Sequence, residues 1–206
     1  FNITSRNRMN ISPYAGIEKS QWRDITENLI LNHPLDEKIL VNTILAAWNN
    51  IFETSMGLNN LKIGVHIFPK PQVIGALMHE LIPAELEASY PNIWRGEKSS
   101  NDKDIVYIPN DDYSIELKTS SSPNRIFGNR SYAQEPSQGK KGKDGFYIAV
   151  NFEKFSDTNP RPKILMIRFG WLDHTDWRGQ KSESGQQASL SPETYDLKFK
   201  TLYSKD

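Results

Sequence analysis

The residues 101–118, NDKDIVYIPNDDYSIELK, place an Asp at the start of one predicted strand and a Glu-x-Lys on the next. The three residues are Asp104, Glu116 and Lys118. Because side chains alternate along a strand, Glu116 and Lys118 point to the same face, about 7 Å apart. Breaking a phosphodiester bond requires a cation that offsets negative charge and a water that is nucleophilic near neutral pH. Glu116 can hold a magnesium ion, which prefers hard oxygen ligands, while Lys118 orients or deprotonates the water.

Asp104 completes this site in only one register of the predicted hairpin. A four-residue loop at 109–112 would pair Asp104 with Leu117 and turn it away from Glu116. A three-residue loop, or a bulge, would pair it with Glu116. The strand 104–108 is apolar on both faces, so its pattern leaves both registers open. We predict the odd register, because it closes the metal site.

The predicted helix before this hairpin supplies one more candidate. Glu80 is in line with Leu77 and Ala84, on the apolar side of the helix. A carboxylate in that position is costly unless it is paired with a cation or bound to metal. We therefore count Glu80 among the catalytic candidates, with a salt bridge to Arg or Lys as the alternative, and we expect His79 to face solvent.

Length and composition indicate one globular domain. The chain has 206 residues, 37% apolar and 24% charged, which is typical of a folded protein of ordinary domain size. We expect a single domain over 1–206, with a mainly helical part at 1–68 and a catalytic core at 69–206. Cysteine is absent, which excludes disulfides and fits a cytoplasmic protein. No apolar run is long enough to cross a bilayer, so we expect no membrane association.

The charge balance hides a local excess of cations. The 25 basic and 25 acidic residues cancel, whereas strong nucleic-acid binders are often basic overall. Within 123–143, however, there are five basic residues (Arg125, Arg130 and three Lys) and only one acidic residue. Metal-binding carboxylates would also lower the net charge of a nuclease, so zero net charge does not exclude DNA as a partner.

Apolar periodicity predicts an α/β fold with helices first and strands later. We expect a central mixed sheet of four to five strands flanked by helices. Asp173 and Asp176 could form a second acidic site, but we interpret them as caps of turns. Helices are predicted at 21–30, 35–52 and 71–90 (kinked or divided by Pro83), and strands at 60–68, 104–108, 113–119, 145–152, 163–169 and 195–203.

Two longer strings carry a family resemblance. ELKTSSSPNRIFGNRSYAQ and FGWLDHTDW…GQQASL resemble type II restriction endonucleases of the ScaI-like family, over residues 69–190. The Asp…Glu-x-Lys pattern is shared by the wider PD-(D/E)xK superfamily, although Lys103 stands where the superfamily name has Pro. The resemblance implies a restriction-endonuclease-like core and a homodimer that cuts both strands of a short DNA palindrome, leaving 5′-phosphates. It also implies Mg²⁺ bound by Asp104, Glu116 and the carbonyl of Leu117, with Lys118 at the water.

The resemblance gives the basic stretch a role in binding double-stranded DNA. Arg, Asn and Gln side chains read purine edges in the major groove, and Lys side chains contact phosphates. The alternative is a solvated basic loop. The DNA-binding candidates are Arg125, Asn129, Arg130, Gln134, Gln138, Lys140, Lys141 and Lys143, with Arg178 and Gln180 from the GWLDHTDWRGQ segment.

Two other functions remain open at this point. One is a structure-specific DNA repair or junction-resolving nuclease of the same fold. The other is a non-catalytic DNA-binding module in which Asp…Glu-x-Lys is incidental. The apolar stripe of the helix at 35–52 is broad enough to form part of a dimer interface, with Trp48 as its anchor. The alternative is that the subunit's own sheet covers the whole stripe.

Overall fold

The structure is a computed structural model that describes residues 12–134, 142–182 and 184–205. Three helices form the first part of the chain, as the periodicity predicts. They are α1 (Trp22–Leu31), α2 (Glu37–Glu53) and α3 (Pro71–Ser89). Asp36 caps α2, because its carboxylate accepts hydrogen bonds from the backbone of Lys38 and Ile39 at 2.8 and 3.1 Å.

The strands are β1 (Ser55–Met56), β2 (Leu61–Lys62), β3 (Trp94–Gly96), β4 (Ile105–Tyr107), β5 (Ile115–Ser120), β6 (Phe127–Asn129), β7 (Gly145–Phe152), β8 (Ile164–Leu172), β9 (Trp177–Gly179), β10 (Gln187–Leu190) and β11 (Phe199–Ser204). They form three sheets. The largest has six strands in the order β11-β8-β7-β5-β4-β3, and all its pairs are antiparallel except β5 with β7. A three-stranded antiparallel sheet has the order β6-β10-β9, and β1 pairs with β2. A fourth helix, α4 (Pro192–Lys198), precedes the last strand.

Strand β7 is buried along its whole length because it separates two apolar cores. Phe146, Ile148 and Val150 belong to the core shared with the helices. Tyr147 and Ala149 belong to a second core, shared with the three-stranded sheet. Glu116 and Lys118 on β5 pair with Tyr147 and Ala149, so the candidate catalytic residues lie on the face of the second core.

The α/β prediction is confirmed, while several details of the sheet differ. The main sheet has six strands and not four to five. The strand predicted at 60–68 is wrong beyond β2, because the chain turns back at Gly64, which has a φ of 80°. The strand predicted at 195–203 begins as α4 and becomes β11 only at Phe199. Pro83 lies inside α3, which continues through it undivided.

The expectation that Trp48 anchors a dimer is wrong. Trp48 is only 4% exposed. Its indole N–H donates to the Pro162 carbonyl at 3.0 Å, and its ring packs on Phe52 and Phe152. The subunit's own core therefore absorbs this part of the α2 stripe.

Asp173 and Asp176 cap a short 3-10 helix at 174–176, as predicted. Their carboxylates also accept hydrogen bonds from the ammonium of buried Lys198, at 2.7 and 2.8 Å. Burial raises the pKa of Asp176, and Lys198 opposes that shift. Within the described residues, no helix is both long and apolar enough to span a bilayer.

Candidate active site

The register between β4 and β5 is the predicted odd one. Ile105 pairs with Ile115, which places Asp104 opposite Glu116 along the antiparallel pair. The connection contains a 3-10 turn at Asp111–Tyr113. The Ser114 hydroxyl accepts the hydrogen bond from the Tyr107 backbone N–H at 3.0 Å. A side chain thus replaces a backbone acceptor where the connection rejoins β5.

The four residues predicted to hold metal and water are brought together at the start of β5. Glu116 is 3% exposed, and the Lys118 ammonium donates to its Oε1 at 3.0 Å. The same ammonium donates to the Leu117 carbonyl at 3.0 Å. Asp104 Oδ2 accepts the Leu117 backbone N–H at 2.6 Å. Two carboxylates, one carbonyl and one ammonium therefore converge on a short segment of backbone.

The Tyr132 hydroxyl also donates a hydrogen bond to Glu116 Oε1. Burial, followed by the negative charge of Glu116, raises the pKa of Tyr132 well above its usual value, so the phenol stays protonated. The ammonium groups of Lys118 and Lys143 lie 4.7 and 4.2 Å from the centre of its ring, within cation–π range. Tyr132 was not predicted as a site residue, because its single signal in the sequence is an aromatic residue inside the polar GNRSYAQ string.

Helix α3 presents His79, and not Glu80, to this site. A Cβ at Gly75 would lie 2.8 Å from Thr119 Oγ1, so the helix packs tightly on β5 at that point. His79 lies one turn further along, on the same side. Its Nδ1 is 3.8 Å from Asp104 Oδ2, and its side chain is 33% exposed. Glu80 is turned by about 100° from His79 and is exposed.

The donor set fits a magnesium ion. Asp104, Glu116 and the Leu117 carbonyl supply hard oxygens, and Mg²⁺ is usually bound by one or two carboxylates together with several waters. Among the residues that the structure describes, no group of three or more His, Asp or Glu could hold a metal ion.

Two of the predicted DNA-binding residues lie in the cavity that contains Lys118. Its volume is about 450 Å³, and Asn129 and Gln180 line it. Two further amides, Gln186 and Gln187, also line this cavity and were not predicted from the sequence. They come from a segment about 70 residues after Lys118, and only the pairing of β10 with β6 and β9 brings them to the site.

The other DNA-binding candidates have different surroundings. Arg130 donates to the carbonyls of Ser182 and Gly185 at 3.2 and 3.3 Å, so its guanidinium holds a loop. Arg178 lines a separate cavity with Tyr14 and Asp173. Lys143 covers Tyr132, as described above. Arg125 and Gln134 are exposed, and Gln138, Lys140 and Lys141 lie outside the described residues.

Comparison with known proteins finds relatives of this chain among the restriction endonucleases. The sequence model of the ScaI restriction endonuclease family matches residues 12–203. The chain is also 51% identical to the type II restriction enzyme ScaI of Streptomyces caespitosus, over 187 residues that cover 90% of this chain and 82% of that enzyme. No solved structure matches the chain. With nearly the whole sequence matched, the chain belongs to the ScaI restriction endonuclease family.

Proposed function

We propose that this protein is a type II site-specific endonuclease that cuts both strands of a short DNA palindrome by magnesium-dependent hydrolysis, leaving 5′-phosphates. The observation that carries this proposal is the convergence of Asp104, Glu116 and Lys118 in a member of a restriction endonuclease family. A homodimer is the simplest assembly for such a cut, because its two-fold axis matches that of the DNA site.

Each residue of the centre has one task. Asp104, Glu116 and the Leu117 carbonyl would hold the magnesium ion. When bound, the ion offsets charge on the phosphate oxygens and makes a bound water more acidic. Lys118, which contacts both Glu116 and Leu117, orients the attacking water. Water adds to phosphorus, the bond from phosphorus to the 3′ oxygen breaks, the 3′ oxygen gains a proton, and the phosphate stays on the 5′ end.

The topology supports assigning the core to the PD-(D/E)xK fold. Asp104 precedes one strand of an antiparallel pair, and Glu116 and Lys118 lie on the other. Strand β7 then adds parallel to β5, with β8 antiparallel beyond it. This order places the two carboxylates near the centre of a mixed sheet that helices cover on one face. Lys103 in place of Pro leaves the acidic residue in its position.

Digestion of a supercoiled plasmid with purified full-length protein tests the proposal. With magnesium we expect discrete linear fragments that carry 5′-phosphates, so a kinase labels their 5′ ends only after phosphatase treatment. With EDTA we expect intact plasmid. Nicked circles or a smear would indicate a structure-specific nuclease. An intact plasmid under all conditions, with DNA still retained in a gel-shift assay, would indicate a DNA-binding module.

A further inference from the structure

The wall of the Lys118 cavity carries a row of amide side chains that spans three strands. In the register of β6 with β10, Asn129 pairs directly with Gln187. On the other side of β10, the Gln180 backbone N–H donates to the Gln187 carbonyl at 2.9 Å. Adjacent strands are about 4.8 Å apart, so Asn129, Gln187 and Gln180 form a continuous row, which we call the amide row.

These amides are available to a ligand. Asn129, Gln180 and Gln187 are exposed, as is Gln186 beside them. Within the described parts of the chain, none of their side chains makes a hydrogen bond to another protein group. The row is nevertheless fixed in place. Gly128 of β6 packs so closely on Tyr132 that a Cβ would lie 3.0 Å from its ring, and Tyr132 in turn holds Glu116.

The chemistry of the row selects one base pair. An Asn or Gln side chain can accept from the N6 amino group of adenine and donate to N7 at the same time, whereas guanine offers two acceptors there and is best read by Arg or Lys. Among the described residues that line the cavity, Lys118 is the single cation, and the proposed catalytic centre uses it. Phe127 also lines the cavity, and a Phe ring suits the methyl group of thymine.

We propose that the amide row, with Phe127, reads an A·T base pair in the major groove close to the scissile phosphate. This inference rests on the proposed endonuclease function and adds the base class that the cavity selects. The cavity of about 450 Å³ also contains Lys118. It is roughly 10 Å across, which is about three base-pair steps of 3.4 Å. The A·T pair therefore lies within about three base pairs of the cut.

The test uses the full-length protein and a pool of duplexes with a randomised segment. One sample is sequenced after cleavage in magnesium, and another after retention on the protein in EDTA. We expect an A·T pair at a fixed position within three base pairs of the cut. On a selected duplex, N6-methyladenine or 7-deazaadenine at that position should slow cleavage about 10- to 100-fold, because each removes one partner of a bidentate amide contact. Uracil in place of the paired thymine should slow it less, since it lacks only the methyl group near Phe127.

Variants of the row supply the control. Gln187→Ala should lose most of the preference for A·T at that position and become insensitive to 7-deazaadenine there. Asn129→Ala and Gln180→Ala should relax the same or the adjacent position. Gln72→Ala changes an exposed amide of α3 outside the cavity and should leave the preference unchanged.

The outcomes separate this inference from the proposed function. Specific cutting that ignores both adenine analogues, or a preference that survives all three row substitutions, would overturn the amide-row inference and leave the endonuclease in place. If the retained duplexes are enriched in A·T but are not cleaved, the endonuclease proposal is overturned. In that case the loss of this enrichment in Gln187→Ala would still support the amide row. Retention with no base preference would overturn the inference.

Discussion

Replacement of Tyr132 by Phe removes one hydroxyl and leaves the ring in place. In the structure that hydroxyl donates to Glu116 Oε1, next to the Lys118 ammonium on the same oxygen. The phenol remains protonated at neutral pH because burial and the Glu116 charge raise its pKa. Its hydrogen bond to a buried carboxylate is therefore present throughout the working range of pH.

The expected effect follows from the strength of such a bond. A hydrogen bond to a charged group contributes about 1.5–3 kcal/mol, and about 1.4 kcal/mol corresponds to a factor of ten in rate. We expect Tyr132→Phe to cleave DNA about 10- to 150-fold more slowly in single-turnover assays, because Glu116 is less firmly placed. The concentration of magnesium needed for half-maximal rate should rise, while DNA binding in EDTA should stay close to wild type.

Tyr14→Phe is the matched control. Tyr14 is also buried, at 3% exposure, and its hydroxyl bonds to Thr26 at 2.8 Å and not to the site. Both variants should be less stable, with a free energy of unfolding lower by about 0.5–1.5 kcal/mol for Tyr14→Phe and by about 1.5–3 kcal/mol for Tyr132→Phe, whose lost hydrogen bond is to a charged group. Only Tyr132→Phe should lose cleavage rate. A Tyr132→Phe rate within twofold of wild type would refute the role of this hydroxyl, and an equal loss in Tyr14→Phe would show that the effect arises from stability alone.

Three further predictions concern Lys118, His33 and the assembly. Both Lys118→Arg and Lys118→Ala should bind DNA and be nearly inactive. Lys118→Ala removes the positive charge, and in Lys118→Arg the planar guanidinium misplaces that charge relative to the water. An active Arg variant would mean that any diffuse positive charge suffices. Burial lowers the pKa of His33 from 6.5 to about 4, so its contribution to stability is complete above pH 6.5 and is lost as the pH falls toward 4. The free energy of unfolding, measured with denaturant, should fall between pH 7 and pH 4.5 by about 2–3 kcal/mol more in wild type than in His33→Gln. Equal decreases in the two proteins would contradict the assigned burial of a neutral imidazole. In the presence of cognate DNA, light scattering should show two protein subunits in each particle. A single subunit in each particle, both with and without DNA, would rule out the two-fold assembly.

Local patterns in the sequence are sufficient for the elements that bear the main site. The apolar stripe of α2 is readable within one helix. The Glu-x-Lys on β5 follows from strand alternation alone. The continuous apolar run of β7 likewise indicates a strand with two buried faces, which the two cores explain.

The parts that were missed depend on contacts between distant segments. Strands β3, β6 and β9 have three residues each, too few for alternation to show, and only their pairing defines them. The register that places Asp104 opposite Glu116 was predicted from the needs of the metal site and not from a local pattern, because it depends on a 3-10 turn and on the Ser114 hydroxyl, which replaces a backbone acceptor. The apolar pattern of β4 carries no trace of either.

Glu80 shows why a helical face cannot be assigned from periodicity alone. It is in line with Leu77 and Ala84 in the sequence, but the close approach of Gly75 to Thr119 fixes the rotation of α3 and turns His79 toward Asp104. Leu77 is only half-buried and Ala84 is exposed, so that line of residues borders the apolar face and does not form it. Tyr132 and Gln187 reach the site through folding of the later chain, which no local pattern reveals.

Single-turnover cleavage by two charge-neutralising variants is the most direct measurement of the proposed centre. Asp104→Asn and Glu116→Gln keep the shape of each side chain and remove the charge that would hold the metal. Both should bind DNA as wild type does and cleave it at least about 1000-fold more slowly, since a bound metal contributes several kcal/mol to the transition state. Asp102→Asn is the control, because Asp102 pairs with Arg95 at 2.8 Å outside the centre, and it should cleave at nearly the wild-type rate. Near-wild-type cleavage by Asp104→Asn or Glu116→Gln would contradict the assignment of the catalytic centre.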